Sequence, residues 1–264
     1  MRDSRILFED SAVLLDCKRK GLAVSDIHIG YEIELLKKGI SLPQRTHALA
    51  DRLVEIGKKH RAKSLFILGD VKHKVAWASS FDFFQVTTFF NRLNDWFEHI
   101  VVTLGNHDGG IRDLLPDNVQ VVTSRGTYLK CKSSSFTLLH GNAWPIPESL
   151  LTSYIITGHG HYMIELRDSI GLRLFEPVWL IGEIDRGRYA EACAKNKPDL
   201  QIPKENIKLI VLPAFNNLVG GIPINRAVER HSNTIMKYLI EEKTKLYLTD
   251  GTYLTTLSKI KESE

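Results

Sequence analysis

At 264 residues, with 43% hydrophobic and 25% charged residues, the chain is long enough to bury a large core and has an ordinary globular composition. No run of about eighteen apolar residues occurs, so no membrane-spanning helix is expected, and the opening MRDSRILFED lacks the pattern of a signal peptide. The net charge of +4 is compatible with a polyanionic partner but does not establish one. We therefore expect a cytoplasmic protein without membrane association.

The three cysteines, Cys17, Cys131 and Cys193, are odd in number and form no CxxC pair. This pattern argues against a disulfide framework and fits a reducing compartment. We expect all three to be small, buried, apolar side chains.

The first half of the chain alternates predicted strands and helices. Leu49, Leu53 and Ile56 recur at helical spacing, and an aromatic stripe later in the chain has the same period. The predicted elements are strands over 6–8, 12–15, 22–25, 64–68 and 101–104, with helices over about 43–60 and 82–97. This alternation predicts a layered α/β fold with parallel strands at its centre.

The second half is richer in predicted strands. They span 119–122, 128–131, 136–140, 155–157, 163–167, 172–180, 208–212, 245–249 and 253–257. Asp250-Gly251 lies between the last two and predicts a hairpin. Since no long linker or repeat separates the halves, we expect one domain over 1–264.

Five of the apolar strands are followed by small clusters of Asp, Asn or His. The clusters are Asp26-Ile27-His28, Gly69-Asp70, Gly105-Asn106-His107-Asp108, His140-Gly141 and Gly158-His159-Gly160-His161. Because the carboxyl ends of neighbouring strands lie side by side in a layered α/β domain, the five loops are expected to converge. Their mixture of oxygen and imidazole donors suits Mn, Fe, Zn or a mixed pair.

A single Asp or His at the end of a strand is more often a cap or a turn residue than a metal ligand. The repeated pattern is more informative, because unrelated turns have no reason to select Asp and His at these spacings. His47, His60, His99 and His231 lie outside the clusters, and we expect no functional role for them.

The ordered motifs DxH, GD, GNHD, HG and GHGH, over residues 26–161, resemble those of the calcineurin-like metallophosphoesterase superfamily. Within it, GDVKH (69–73), PVWLIGEID (177–185), PAFNNLVGGIPIN (213–225) and LTDGTYL (248–254) resemble the predicted ICC-like phosphoesterases, especially their archaeal branch, which are related to the nuclease SbcD. The resemblance implies a four-layer α/β/β/α sandwich with a two-metal site at one rim.

The resemblance also implies seven metal ligands. They are Asp26, His28 and His161 for the first ion, Asn106, His140 and His159 for the second, and Asp70 as a bridge between them. We expect two divalent ions, manganese by resemblance, with iron or zinc as alternatives.

The remaining motif residues are implied to act on the substrate. His107 would face the scissile phosphate as general acid or as hydrogen-bond donor, and Asn106 would also contact the phosphate. Asp108 would orient His107 from behind. His73, three residues after Asp70, is expected either to contact phosphate or support the site, or else to be exposed at the surface.

Five further residues have a less specific pattern. Lys72, Lys74 and Arg112 can line an access path for phosphate, but ordinary solvated charges are the simpler interpretation. Asn216 and Asn217, in the 213–225 loop, either cover the site or close a turn.

The predicted function is hydrolysis of phosphodiesters by a metal-activated water, with DNA or RNA as candidate substrates. The chain is too short to carry the DNA-capping region and ATPase-binding segment of full SbcD-type nucleases, so a minimal nuclease is expected. Small-molecule phosphodiesterase, phosphomonoesterase and a non-catalytic interaction module on the same fold are the alternatives. The sequence does not indicate the natural substrate, protein partners or the oligomeric state.

Overall fold

A computed structural model describes residues 3–75, 80–193, 201–226 and 233–262 of the chain. His231, for which no role was predicted, lies outside these residues. The strands of the described part are β1 (Ser4–Leu7), β2 (Ala12–Asp16), β3 (Lys20–Val24), β4 (Ser64–Leu68), β5 (His99–Thr103), β6 (Val119–Val122), β7 (Thr127–Lys130), β8 (Ser135–Leu138), β9 (Tyr154–Thr157), β10 (Met163–Arg167), β11 (Arg173–Ile184), β12 (Ile207–Val211), β13 (Lys245–Leu248) and β14 (Tyr253–Thr256). The α-helices are α1 (Tyr31–Lys37), α2 (Thr46–His60), α3 (Ser80–Asn94), α4 (Arg186–Cys193) and α5 (Leu257–Glu262).

The first sheet contains six strands in the order β1-β2-β3-β4-β5-β6. Strands β3 to β6 are parallel, and helices α2 and α3 lie in the connections that parallel pairing requires. The parallel centre predicted from the alternation of elements is confirmed. The carboxyl ends of β3, β4 and β5 consequently lie next to one another.

The second sheet is mixed, with the order β14-β13-β11-β12-β9-β8-β7 and β10 paired with β11. At its centre β8, β9 and β12 are parallel. Strands β13 and β14 pair antiparallel around Asp250-Gly251, so the predicted hairpin is confirmed.

The side chains of each sheet alternate between two apolar layers, as the period of two along a strand requires. On β3, Leu22 and Val24 pack into the cluster that contains residues of α2 and α3. Ala23, between them, points to the opposite face and belongs with Phe136 and Trp179 to the layer between the sheets. A third cluster joins the outer face of the second sheet to helices α4 and α5. The order helix, sheet, sheet, helix confirms the predicted α/β/β/α sandwich.

Most predicted elements agree with the structure to within a few residues, and the differences lie at helices. Helix α2 begins at Thr46, so Pro43 precedes the helix instead of standing in its first turn. Helices α1 and α4 fall in segments where no element was predicted, and α5 begins at the last residue of the predicted strand 253–257. The assignment of 1–264 to one domain stays a prediction.

The expectation that all three cysteines are unpaired was wrong. Cys17 and Cys131 form a disulfide across a sequence separation of 114 residues, with their Cα atoms 4.5 Å apart, while Cys193 is free. Cys17 directly follows β2 and Cys131 directly follows β7, so the bond links the two sheets. A pairing over this distance leaves no local pattern in the sequence.

None of the helices in the described ranges is both long and apolar enough to cross a bilayer.

Candidate metal centre

The loops after β3 and β4 are held together by backbone hydrogen bonds. The amide of Asp26 donates to the carbonyl of Gly69 at 3.2 Å, and the amide of His28 donates to that of Asp70 at 2.9 Å. The hydroxyl of Ser25 donates to the Leu68 carbonyl at 2.8 Å. The parallel pairing of the two strands is thus continued into the polar residues that follow them.

The loops of the second sheet reach the same place. The Nδ1 atom of His140, after β8, donates to the carbonyl of Leu68 at 2.8 Å. The amide of His159, after β9, donates to Oδ2 of Asp26 at 3.2 Å. Strand ends from the two sheets therefore converge at one place. The enzymatic interpretation depends on this convergence.

Backbone strain is concentrated at this point of convergence. Asp26, His28, Asp70, His159 and His161 have φ values of 60°, 46°, 52°, 71° and 41°. Among the described non-glycine residues, the others with positive φ are Ser11 and Arg61. This left-handed conformation is uncommon for non-glycine residues and clusters at functional sites.

Two groups of the converging side chains share one carboxylate. Asp26, His28, Asp70 and His161 offer ligand atoms that all lie within 4.8 Å of one another, as do Asp70, His140 and His159. Asp70 belongs to both groups, at the position predicted for the bridge. Asn106 adds its Oδ1 atom 3.2 Å from Nε2 of His140.

The donor set around His140 fits a metal ion. Because Nδ1 donates to Leu68, the neutral ring has a lone pair on Nε2. That atom lies 3.2 Å from Oδ2 of Asp70, 3.2 Å from Oδ1 of Asn106 and 3.1 Å from Nδ1 of His159. The lone pair of Nε2 and the two oxygens repel one another. A proton or a metal ion between the nitrogen and the oxygens removes this repulsion.

The ring of His161 has the same arrangement. Its Nδ1 atom donates to the carbonyl of Gly220 at 3.2 Å, which leaves Nε2 to face the site. Nε2 lies 2.9 Å from Oδ1 of Asp26 and 3.1 Å from Nε2 of His28. A hydrogen bond from the far ring nitrogen to a backbone carbonyl is the usual support of a metal-binding histidine. The residues of both groups fit a pair of cations.

The two carboxylates are charged despite their burial. Burial opposes ionisation of Asp26, but the charge of His161 and its hydrogen bond hold the pKa of that carboxyl below its ordinary range. Burial likewise opposes ionisation of Asp70, and the hydrogen bond from His140 lowers its pKa. In turn, burial would favour neutral His140, yet the hydrogen bond to Asp70 and the charge of Asp26 raise its pKa to about 9. The buried anions thus draw positive charge to the positions that the ligand atoms face.

Two of the histidines are uncharged at neutral pH. Burial lowers the pKa of His28 to about 3 and that of His159 to about 4. Neutral imidazole is the form that binds metal ions.

His107 lies at the edge of the centre and is partly open to solvent. Its amide donates to Oδ1 of Asp70 at 2.9 Å, and its Nε2 atom lies 4.0 Å from Oδ2 of Asp70. Its Nδ1 atom donates to the carbonyl of His73. The ring is thereby held with Nε2 available to a bound group.

The role predicted for Asp108 needs correction. Its carboxylate does not orient the ring of His107, because it accepts the amides of Gly105 at 2.8 Å, Asp70 at 2.8 Å and Val71 at 2.9 Å. Asp108 therefore fixes the loop that carries Asp70, and the backbone of His73 orients His107. Burial raises the pKa of Asp108 to about 6.

The family model of calcineurin-like phosphoesterases matches residues 20–216, which include all of the predicted ligands. The chain belongs to this family. Among curated proteins the sequence comparison finds no match.

Two solved structures are similar to this calcineurin-like phosphoesterase. The nuclease MPE of Pseudomonas putida is similar at a TM-score of 0.57 and 23% identity, over 95% of this chain and 94% of that chain. The phosphoesterase Yfce of E. coli is similar at a TM-score of 0.42 and 13% identity, over 89% of this chain and 97% of that chain. The first of these likenesses supports the two-sheet architecture described above.

Lys72 of the phosphoesterase is not the solvated charge that was expected. It is fully buried. Its ammonium group donates to the carbonyl of His107 at 2.7 Å and also to the carbonyl of Lys74. The alternative, a place on an access path, does not apply either, because the buried Lys72 fixes the backbone next to His107. Lys74 and Arg112 are exposed, in keeping with ordinary solvated charges.

His73 and the 213–225 loop were left open by the sequence, and the structure places both at the centre. His73 is partly buried, and its ring stacks on that of His107 with centroids 5.6 Å apart. Asn216 is buried, where its side chain donates to the carbonyl of Ile27 at 3.1 Å. Asn217 accepts a hydrogen bond from Arg45 at 2.8 Å. Asn216 thus supports the Asp26–His28 loop, so closing a turn is not its only role.

Two clefts adjoin the metal centre of the phosphoesterase. One, of about 460 Å³, opens at His73 and His107. The other, of about 340 Å³, opens at His161 and includes Arg52 and Asn217. The two share no lining residue, so they are separate clefts, one beside His107 and the other beside His161.

Proposed function

We propose that this calcineurin-like phosphoesterase is a two-metal phosphodiesterase that acts on nucleic-acid-type diesters, with manganese as the metal. The observation that carries the proposal is the arrangement of two ligand groups around Asp70. One carboxylate that belongs to both groups is what a bridged pair of cations requires, and an isolated single site does not need it. The proposed ligands keep the roles implied by their motifs.

The proposal assigns the first ion to Asp26, His28 and His161, and the second to Asn106, His140 and His159, with Asp70 common to both. When bound, such a pair lowers the pKa of a bridging water and clamps the phosphate oxygens of an in-line displacement. Asn106 has a further function, because its side-chain NH₂ group can donate to a phosphate oxygen while Oδ1 faces the ion.

His107 acts on the leaving group in this proposal. Since its Nδ1 atom donates to the His73 carbonyl, Nε2 is the nitrogen that can carry a proton to the departing oxygen. A positioned acid of this kind contributes typically about 10²–10⁴ in rate. Asp108 and Lys72 hold the two loops that determine where Nε2 points.

The two clefts favour a diester over a monoester. A phosphodiester has an organic group on each side of the phosphorus, and a monoester has one. Clefts that open at His107 and at His161 provide a place for each group. A nucleic-acid-type diester is favoured by the net charge of +4 and agrees with the description of the Pseudomonas putida protein as a nuclease. The cytoplasmic location and the ICC-like, SbcD-related branch stay predictions.

The test is a His107→Ala variant assayed beside wild type with Mn²⁺. Substrates are a bis-aryl phosphate, an aryl monophosphate and single-stranded DNA, and bound manganese is measured by elemental analysis. We expect diester and DNA cleavage to fall at least about a hundredfold with two ions retained. His99→Ala, on an exposed position of β5, is the control and keeps full activity.

Each alternative gives a different result in this assay. Turnover of bis-aryl phosphate without DNA cleavage indicates a small-molecule diesterase, and preference for the aryl monophosphate indicates a monoesterase. Stability after chelation with no hydrolysis under any divalent metal indicates a non-catalytic module. Unchanged diester rates in His107→Ala would contradict the role given to that residue.

A further inference from the structure

The cleft beside His73 and His107 has an apolar interior. Its lining includes Ile29 and Ile33, from the segment that leads into and forms α1, and Val75, in the loop after β4. Ile33 and Val75 are exposed at 36% and 59% of their surface, which is unusual so close to a polar centre. Apolar walls of this kind mark a ligand-binding cleft when polar groups converge at one end.

The polar end of the cleft consists of aromatic rings. The rings of His73 and His107 are stacked, 5.6 Å apart and inclined by 23°. Tyr31 meets His73 edge-on, with ring centroids 4.8 Å apart. A flat ring that enters the cleft therefore finds both aromatic and aliphatic surfaces to lie against.

The cleft is lined by equal numbers of acidic and basic side chains. Lys37 and Lys74 contribute two positive charges, and Glu34 and Asp82 contribute two negative charges. Lys37 lies 3.6 Å from the carboxylate of Glu34, so it is already paired. A cleft with no net charge does not attract a string of phosphates, and it fits a neutral group attached to a single phosphate.

We propose that this cleft binds the nucleoside on the leaving side of the scissile phosphate, with its base against Ile33, Val75 and the ring of His73. The inference rests on the proposed function, because His107 is the residue at which the leaving group departs. A volume of about 460 Å³ lies within the usual range for a small organic ligand and cannot hold a duplex. The enzyme therefore selects substrates by one unpaired base beside the bond that breaks.

The test compares a dinucleoside monophosphate with two analogues, each of which lacks one base and keeps the sugar. All three have the same leaving-group chemistry, so differences in kcat/KM report binding of a base. Wild type is assayed beside Ile33→Asp, which places a charge in the cleft wall, and Leu36→Asp, the matched control. Leu36 is on the same helix, is 58% exposed and does not line the cleft.

We expect wild type to cleave the intact compound about tenfold faster, in kcat/KM, than the analogue that lacks the leaving-side base. In Ile33→Asp this ratio falls towards one, whereas Leu36→Asp keeps the wild-type ratio, manganese content and rate of cleavage of that analogue. Equal rates for all three compounds in wild type overturn the inference and leave the proposed function standing. An equal ratio in wild type and Ile33→Asp also overturns it. No cleavage of any compound by the manganese-loaded protein overturns both proposals.

Discussion

The Nδ1 atom of His73 lies 3.4 Å from the Nδ1 atom of His28. The other nitrogen of His28, Nε2, faces the carboxylates of Asp26 and Asp70 at 3.9 and 3.7 Å. If Nε2 binds a metal ion, the proton of the neutral ring is on Nδ1, and His73 is the acceptor in its path. His73 would then orient the ring of His28 through its side chain and the ring of His107 through its backbone carbonyl.

His73→Ala tests the side-chain part of this arrangement. Loss of an acceptor behind a metal-binding histidine typically weakens metal affinity by about 10–100-fold, and we expect a change of this size for one of two manganese ions. Calorimetric titration of the metal-free protein measures it. Lys74→Ala, the exposed neighbour, is the control, and equal affinities for both variants would show that His73 does not support His28.

The sharing of Asp70 predicts different metal contents for two variants. Asp70→Ala removes a ligand from both groups, so we expect it to retain less than one manganese ion. His159→Ala removes a ligand from one group only and should retain one ion. Elemental analysis after desalting, with folding checked by circular dichroism, measures both; identical contents would contradict a bridging role.

Asp108→Ala should destabilise the chain as well as the metal centre. The substitution removes a buried carboxylate that accepts hydrogen bonds from four amides, those of Gly105, Asp70, Val71 and, at 3.5 Å, Lys72. Hydrogen bonds to a charged group contribute about 1.5–3 kcal/mol each in mutational series, and partial replacement by water reduces the sum, so we expect a loss of about 3 kcal/mol. Urea unfolding measures it in the presence of chelator. A loss confined to the metal-bound protein would mean that Asp108 supports only the ions.

We expect reduction of the Cys17–Cys131 disulfide to lower the free energy of unfolding. In the chain-entropy account, closing a loop of more than a hundred residues stabilises the folded state by about 4–5 kcal/mol. We expect Cys17→Ser/Cys131→Ser, or wild type in reductant, to lose stability of this order in urea unfolding. Cys193→Ser should match oxidised wild type. If reductant leaves the unfolding midpoint unchanged, the two sheets do not depend on this bond.

We expect His60 to make the stability of the folded state depend on pH. Burial and the charge of Arg5 lower the pKa of His60 from its ordinary value of 6.5. Below that value the unfolded chain takes up the proton more readily than the folded chain, so the stability of the folded state falls as pH falls. We expect the loss between about pH 7.5 and about pH 5.5 to be smaller in His60→Gln than in wild type. His99→Gln is the control, and three equal losses in urea unfolding would refute the assignment.

The convergence of the proposed metal ligands could be predicted from the sequence because their signal is local. Each of these residues lies two to four residues after the end of an apolar strand, and parallel pairing brings the strand ends of each sheet together. Asp108 shows the limit of this reasoning: its motif places it beside His107, yet its partners Asp70 and Val71 are nearly forty residues earlier in the chain. Lys72 and the Cys17–Cys131 bond were also missed, because burial and long-range pairing depend on how loops pack.

The left-handed backbone at five of the proposed ligands has a consequence for engineering. Glycine at Asp26 or His159 would relieve roughly 1–2 kcal/mol of backbone strain. It would also remove a side-chain atom that is proposed to bind a metal ion. A selection for heat resistance alone is therefore expected to drift towards glycine at these positions, and to yield sturdier proteins that no longer hold cations. Thermostability and turnover would have to be selected together in this chain.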